Sequence, residues 1–367
     1  MDYLNLKELA IKDIIIKPVD LGLINDFTIS RGSISVAQNI FICLKINSGI
    51  KGYGEIAPFE GLTGENRKKS LHIAEKIRSE LTGKSVSNFY YLSKFLYEIA
   101  PDHPSTRCGF ETAIIDAYAR YLNVPFWALF GGKVINNLKT DITIPISDIN
   151  QSIELAEDWY KKGFETLKLK VGKNPETEIH LVEKIFKKLP EVKFIFDANQ
   201  GFSKSEAAQF IKELVRLKCK VEMIEQPVER DDTDGLKELR HSFHIPIAAD
   251  ESVLSKKDAI DLVKKDAVDI INLKIMKSGV IETFEIASIA RAAGIELMIG
   301  GMVESRLGMS CSLGIVLSRG DIKYLDLDTP LLLKEDPHEG GYEYHSASIK
   351  PYTGNGLALT PKIFMGE

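Results

Sequence analysis

The sequence predicts an α/β protein in which eight parallel strands close into a barrel and a smaller α+β unit packs beside it. Three observations lead there. Beyond Gly131-Gly132, a β-rich apolar segment, a polar turn and an amphipathic stretch of about ten to fifteen residues recur in strict order. Before that pair, strand patterns come first and helical patterns follow. At 367 residues and 44% hydrophobic composition, the chain can bury a barrel-sized core and a second, smaller one.

Taken in order, residues 10–16, 27–35 and 39–46 read as strands of an antiparallel meander, with a loop at 20–26 and a turn at Asn47-Ser48-Gly49. From about residue 65 to 122 the periodicity is helical, strongest at 113–120, and Asn123 and Pro125 end it. Residues 1–130 are thus expected to form the α+β unit and residues 131–330 the barrel. The expected barrel strands are 141–146, 166–171, 193–196, 221–224, 245–249, 267–273, 296–299 and 323–325. Strands that alternate with helices at this spacing run parallel, and eight of them imply closure rather than an open sheet. Residues 331–367, rich in Gly, Tyr and Pro, are expected to pack back on the first unit.

The formal net charge is −5, and lysines are interspersed with glutamates along the predicted helices, so no broad basic surface of the kind nucleic acid demands is present. Residues 1–8 lack a basic leader and an apolar core, and no later apolar run approaches membrane-spanning length. The expected location is the cytoplasm, without a membrane partner. Cys43, Cys108, Cys219 and Cys311 are far apart, with no paired spacing for zinc or disulfides, and read as inert thiols.

The chemistry centres on residues 166–172, Thr-Leu-Lys-Leu-Lys-Val-Gly. Strand side chains alternate, so Lys168 and Lys170 share a face. Mutual repulsion and desolvation both favour the neutral amine that a lysine base needs. A solvated edge strand would explain two lysines equally well; the polar residues at the next strand ends tip the balance. Asp197, Glu225 and Asp250 end the third, fourth and fifth predicted strands. Any one of them alone would read as a helix N-cap. Three converging carboxylates repel unless a cation sits between them, and an all-oxygen set suits octahedral Mg²⁺ or Mn²⁺. Lys274 ends the sixth strand, almost diametrically across the barrel from the second. Lys170 and Lys274 would therefore flank a bound substrate, one removing a proton from one face and the other returning it to the opposite face. Lys277 lies further into the loop and is expected to be solvated. Asp326 and Asp328 share a face at the end of the eighth strand, where two anions beyond the metal set call for a cationic substrate group. The alternative is that Asp326 faces the rim and Asp328 caps a turn. Met302, after Gly300-Gly301, and Thr143 would line the pocket, although a tight turn with a packed methionine explains the same residues.

Lys168-x-Lys170, Asp197-Ala-Asn199, Glu225-Gln-Pro227, Asp250-Glu-Ser252 and Asn272-Leu-Lys274, in this order, resemble the enolase superfamily, muconate-lactonizing-enzyme subgroup, over nearly the whole chain. Gly52-Tyr-Gly-Glu-Ile-Ala-Pro58 and Pro125-Phe-Trp-Ala-Leu-Phe-Gly-Gly132 belong to the resemblance and read as structural. The resemblance implies a modified TIM barrel of (β/α)7β form under an α+β capping domain. It implies Mg²⁺ on Asp197, Glu225 and Asp250, and Lys170 and Lys274 as acid/base groups. Lys168 would position the substrate carboxylate and depress the pKa of Lys170, and Asn199 and Glu251 would support the metal ligands. The reaction would be a 1,1-proton transfer through a metal-stabilised enediolate.

The subgroup includes dipeptide epimerases, N-acylamino acid racemases, muconate-type cycloisomerases and o-succinylbenzoate synthases. Asp326-x-Asp328 is similar to the Asp-x-Asp motif with which dipeptide epimerases hold the substrate ammonium, and a cycloisomerase has no ammonium to bind. The expected enzyme is an isomerase: an Mg²⁺-dependent epimerase acting on the C-terminal residue of an L-Ala-X dipeptide, with L-Ala-L-Glu/L-Ala-D-Glu leading. The racemase, cycloisomerase and synthase are the alternatives. A metal-binding barrel without catalysis is disfavoured, because both lysines stand beside all three carboxylates. Specificity is expected in the capping loops at 22–31 and 59–65, with Arg31 as the basic residue near a glutamate side chain. For X = Glu the resemblance implies cell-wall peptide recycling. The partner is a small dipeptide, and the sequence leaves a homo-oligomer open.

Overall fold

The structure, a computed structural model, describes residues 7–30 and 32–366. Strands β1 (Ile11–Ile29) and β2 (Gly32–Ile46) form one long antiparallel hairpin, and β3 (Lys51–Ile56) follows over a turn in which Gly49 takes a φ of +91°. The hairpin replaces the three shorter strands expected at 10–16, 27–35 and 39–46 and the loop at 20–26, and the second of those strands is divided between β1 and β2. Its register shifts between Gly22 and Phe27, where residues 23–26 of β1 stand against residue 35 alone on β2. The expected loop is therefore a bulge inside a strand, and its polar Asn25-Asp26 interrupts the alternation that would have revealed the strand's full length. The bulge leans on the C-terminal segment: Leu23 bridges to Leu333, and Lys334 N donates to Gly22 O at 2.8 Å.

Helices α1 (Arg67–Leu81) and α3 (Pro104–Tyr121) pack on this sheet, and α2 (Phe89–Ile99) packs on α3. Asn66 caps α1 by accepting from Lys69 N, and α3 opens on a proline, whose missing N–H costs nothing in the first turn. α3 lies so close to β3 that no side chain fits between them. A Cβ added at Gly54 would stand 1.9 Å from Gly109 O, and one at Gly52 would stand 2.1 Å from Ala113 O. That contact is what Gly-Tyr-Gly supplies. Asp116 of α3 is buried and accepts from Tyr53 N, Leu357 N and Arg120 Nε at 2.7 to 2.9 Å, tying helix, sheet and C-terminal segment together.

The second sheet runs β4 (Ile142–Ile144), β5 (Thr166–Lys170), β6 (Lys193–Asp197), β7 (Lys220–Glu225), β8 (Ile247–Ala249), β9 (Ile270–Leu273), β10 (Glu296–Ile299) and β11 (Tyr324–Leu325). The strands are parallel and lie in sequence order. Across the seam between last and first strands, Asp141 N donates to Leu325 O at 3.1 Å. A helix follows each of the first seven strands: α4 (Ile149–Lys161), α5 (Pro175–Lys188), α6 (Lys204–Leu217), α7 (Thr233–Ser242), α8 (Lys256–Lys265), α9 (Val280–Ala292) and α10 (Arg306–Arg319). The fold is a modified TIM barrel of (β/α)7β form with an α+β capping domain.

The period of two along each strand sorts the barrel interior into layers. Ile195, Met223, Ala248, Ile270 and Met298 form a buried apolar cluster. Two residues further along the same strands come Asp197, Glu225, Asp250, Asn272 and Gly300. An apolar plug thus lies beneath a polar ring at the C-terminal ends of the strands, the end where barrel enzymes carry their sites.

Glu55 of β3 joins the two sheets. It accepts from Asn39 Nδ2, Ser305 N, Ser305 Oγ and Gly308 N at 2.7 to 2.9 Å, and so caps α10 from the capping domain. Asn39 Nδ2 also donates to Val303 O at 2.9 Å, in the loop after β10. Among the described residues, no helix is long and apolar enough to cross a membrane.

Gly54→Ala is expected to lower the unfolding free energy by about 1–3 kcal/mol, the usual cost of overpacking, read as a lower urea midpoint. An unchanged midpoint would mean that β3 and α3 have room to separate.

Candidate active site

Strand alternation delivers the charged residues to one place. Lys168 Nζ stands 2.7 Å from Asp326 Oδ2, 2.8 Å from Glu225 Oε2 and 3.1 Å from Asp197 Oδ2. Lys170 Nζ stands 2.6 Å from the same Asp197 oxygen, so the two lysines do share a face. From the far side of the barrel, Lys274 Nζ reaches Asp250 Oδ2 at 2.5 Å. Asn272 Nδ2 donates to Glu225 Oε1 at 2.7 Å.

None of Asp197, Glu225 and Asp250 caps the helix that follows it; Ser203, Asp232 and Ser255 do that. The three carboxylates are free to face one another, and an oxygen from each lies within 4.8 Å of the others. Among the described residues, Glu225 Oε2 has no hydrogen-bond donor; Lys168 Nζ is near it but outside hydrogen-bonding geometry. A buried, all-oxygen donor set with an unsatisfied oxygen fits a hard divalent cation.

The electrostatics follow from these contacts. Burial works against ionisation of Asp197 and Asp250, but the lysines outweigh it. Lys170 and Lys168 bring Asp197 down to about 2, and Lys274 and Lys277 hold Asp250 well below the usual carboxylate range. Burial and the neighbouring Asp197 raise Glu225. Burial, with Asp250 and Asp197, pushes Glu251 up to about 8. Burial alone would lower Lys168, yet Asp326, Glu225 and Asp197 raise it well above the ordinary value. The expectation that repulsion and desolvation favour the neutral amine in the lysine pair is thus corrected at Lys168, where the neighbouring anions outweigh burial. Lys274 is likewise raised, its burial overcome by Asp250 and Glu225.

Lys277 is a second correction. It is 2% exposed, in the single turn Ile275–Ser278, and donates to Asp250 Oδ1, Asp250 O and Asn272 O at 2.7 to 2.9 Å. Three residues along a helical turn place it on the face of Lys274, a spacing that a loop reading missed.

Asp326 and Asp328 are both buried. Asp326 is held by Lys168, which with Lys170 outweighs burial and lowers its pKa. Asp328 precedes the 3₁₀ turn Thr329–Leu332 but makes no capping bond with its side chain. Its Oδ2 accepts from Thr143 N at 2.6 Å instead, and burial with Asp326 raises it to about 7. A third acid, Asp141, joins these two, with oxygens within 4.8 Å. Asp141 was not singled out in the sequence, although it lies two residues before Thr143 on the same strand face.

A cavity of about 160 Å³ opens beside Asp250. Lys170, Lys274, Asp250 and Glu251 form its charged side, and Met302 with Gly301 and Val303 lines another wall. Phe27, Ile29, Phe59 and Leu62 close it from the capping domain, so both expected loop regions reach the site. Thr143 lines a neighbouring cavity on the other side of Phe27. Asn199 Nδ2 donates to Glu251 Oε1 at 3.3 Å, and Ser30 Oγ donates to Asn199 O at 2.9 Å. Arg31 lies outside the described residues.

Asn199, Gln200 and Gln226 take φ of 42°, 67° and 37°, a region that costs a non-glycine residue energy. Gln226 is fixed there by four bonds: Oε1 accepts from Asp250 N and Ser252 N, and Nε2 donates to Val228 O and Ser252 Oγ.

A capped barrel with lysines on facing strands above a ring of carboxylates is the architecture of an enolase-superfamily enzyme. The chain belongs to the mandelate racemase / muconate lactonizing enzyme family, whose N-terminal domain matches residues 13–131, while an enolase C-terminal domain-like family matches residues 151–363. It is 39% identical over 340 residues to an L-Ala-D/L-amino acid epimerase from Populus trichocarpa, covering 91% of this chain and 80% of that protein. It is 35% identical over 316 residues to an L-Ala-D/L-Glu epimerase from Thermotoga maritima, covering 86% of this chain and 91% of that protein. The solved structure of a dipeptide epimerase from Cytophaga hutchinsonii, complexed with Mg and the dipeptide D-Ala-L-Val, superposes with a TM-score of 0.94 at 29% identity, covering 97% of both chains.

Lys277→Met should lower the unfolding free energy by about 3 kcal/mol, the cost of breaking a buried ion pair from one side, measured by denaturant titration. An unchanged stability would return Lys277 to the solvated role its sequence position suggested.

Proposed function

We propose that the chain is an isomerase, a Mg²⁺-dependent dipeptide epimerase that inverts the Cα of the C-terminal residue of an L-Ala-X dipeptide by proton transfer between two lysines. The observation that carries this reading is that Lys170 and Lys274, from strands four places apart in an eight-strand barrel, line one cavity together with Asp250, whose carboxylate groups with those of Asp197 and Glu225. The names of the relatives support it.

Asp197, Glu225 and Asp250 would hold the metal, which when bound would supply positive charge against the substrate carboxylate. Lys170 takes the α-proton from one face of the Cα, and Lys274 delivers a proton to the other; the roles exchange for the opposite diastereomer. Lys168 remains an ammonium, as its anionic surroundings favour, and its charge stabilises the negative oxygen that develops as the proton leaves. Asp326 and Asp328 receive the α-ammonium of the N-terminal residue, with Thr143 N–H orienting Asp328. An acylated amino acid has no such cation and would leave that pair unmatched, which favours the epimerase over the racemase. The apolar side chains of Phe27, Phe59, Leu62 and Met302 exclude water from the reacting carbon.

For X, Arg31 is the basic group that would meet a glutamate side chain. L-Ala-L-Glu and L-Ala-D-Glu are the leading pair, and recycling of cell-wall peptides in the cytoplasm is the corresponding role.

Proton NMR of the protein with Mg²⁺ and L-Ala-L-Glu in D₂O is expected to show loss of the glutamate α-proton signal together with appearance of the second diastereomer. Absence of both across a panel of L-Ala-X dipeptides would contradict the reading. A pH dependence follows from Asp328. Its carboxyl, raised to about 7, takes up a proton as pH falls and loses the charge that binds the ammonium. The KM for dipeptide should therefore rise as pH drops through that value and level off above it, whereas a KM flat across about pH 6–8 would show that the pair does not bind the ammonium.

A further inference from the structure

Asp141, immediately before β4, has no part in the reading so far. It is 3% exposed, and neither of its carboxylate oxygens has a hydrogen-bond partner among the described residues. The groups that face it are Asp326 and Asp328 from the end of β11 and Lys168 from β5. Lys168 is already committed: its ammonium lies 2.7 Å from Asp326 and is shared with Asp197 and Glu225. Asp328 has the Thr143 N–H at 2.6 Å. Among the described residues, Asp141 alone of the three has neither an ammonium nor an N–H in hydrogen-bonding reach.

Carboxyl groups this close, buried and short of positive charge do not all ionise; two in contact share one proton. The proton settles where an anion is least supported. Asp326 has a cation and Asp328 an amide, which leaves Asp141. Resting on the dipeptide epimerase reading, we propose that Asp141 is a positioning residue: it carries the proton of this three-carboxyl group and donates it in a hydrogen bond to Asp326, so that Asp326 and Asp328 meet the substrate ammonium as two anions in fixed orientation.

Charge balance supports this assignment. With Asp141 neutral, the two anions face the Lys168 ammonium and one ammonium from the substrate. A third anion here would have no counterpart, and burying an unmatched charge is costly. Burial and the two neighbouring carboxylates push the Asp141 carboxyl well above its ordinary range, against the opposing pull of Lys168.

The test pairs a spectroscopic readout with kinetics on the Mg²⁺-loaded enzyme. The infrared difference spectrum of wild type minus Asp141→Asn at neutral pH should contain the carbonyl stretch of a protonated carboxyl group. Asp141→Asn keeps an N–H donor in place of the acid O–H and should retain kcat/KM for the dipeptide to within about threefold. Asp141→Ala removes the donor and should raise KM about tenfold, with a smaller change in kcat, the scale of one hydrogen bond to a charged partner. The proposal is overturned if the infrared band is absent, if Asp141→Asn loses as much activity as Asp326→Asn, or if Asp141→Ala behaves as wild type. Loss of the band on saturation with Mg²⁺ would make the group a second cation site and also overturn it. The infrared result needs no substrate, so a protonated Asp141 in a protein that epimerises no dipeptide would sink the epimerase reading and leave the protonation standing.

Discussion

Lys168 is 1% exposed, and its ammonium is surrounded by carboxylates from three different strands. A buried lysine without such partners would shed its proton, and three buried carboxylates without such a cation would take protons up. The contact therefore fixes the ionisation of both sides. It also joins two acidic groups into one site, since Asp197 and Glu225 belong to the proposed metal set and Asp326 to the proposed ammonium set. A one-residue slip of β5 would turn Lys168 and Lys170 out of the barrel together and leave both groups without a cation.

What surrounds that charge cluster determines how strongly it acts. Beneath it lies the apolar layer of Ile195, Met223, Ala248, Ile270 and Met298, and above it the capping domain presents Phe27, Phe59 and Leu62. Between two apolar layers, charges interact more strongly than they would in water. The cap is held in place by polar contacts: Glu55 reaches across to the first turn of α10, and Asn39 reaches the loop that carries Met302 and Val303. The Gly-Tyr-Gly-Glu stretch thus does two jobs, bringing β3 against α3 and aiming the glutamate at the barrel.

Much of this was legible in the sequence because it rests on periodicity. All eight barrel strands were visible as apolar segments, and the i, i+2 spacing pointed to Lys168 with Lys170 on the second strand and to Asp326 with Asp328 at the end of the eighth. The misses have physical reasons. The long hairpin of the capping domain hid behind a bulge whose polar residues imitate a loop. Lys277 looked solvated because a single helical turn after β9 leaves too little pattern to show which way it faces. Repulsion within the lysine pair does not set the ionisation of Lys168, because a view of two lysines omits the anions that Asp197, Glu225 and Asp326 bring from distant parts of the chain. Asp141 was accessible to the alternation rule but lay at the start of a strand, away from the C-terminal ends where attention falls. Arg31, on which the identity of X turns, lies outside the described residues.

The account's central claim is that two lysines serve opposite faces of one carbon. Its most direct test is deuterium exchange by Lys170→Ala and Lys274→Ala, each offered the two diastereomers of a dipeptide separately in D₂O. The account predicts that both variants lose epimerisation by about a hundredfold or more, the scale of a missing acid/base group. Each should still exchange the α-proton of one diastereomer, and the two variants should exchange opposite ones. Exchange of the same diastereomer by both variants, or of both diastereomers by either, would contradict it.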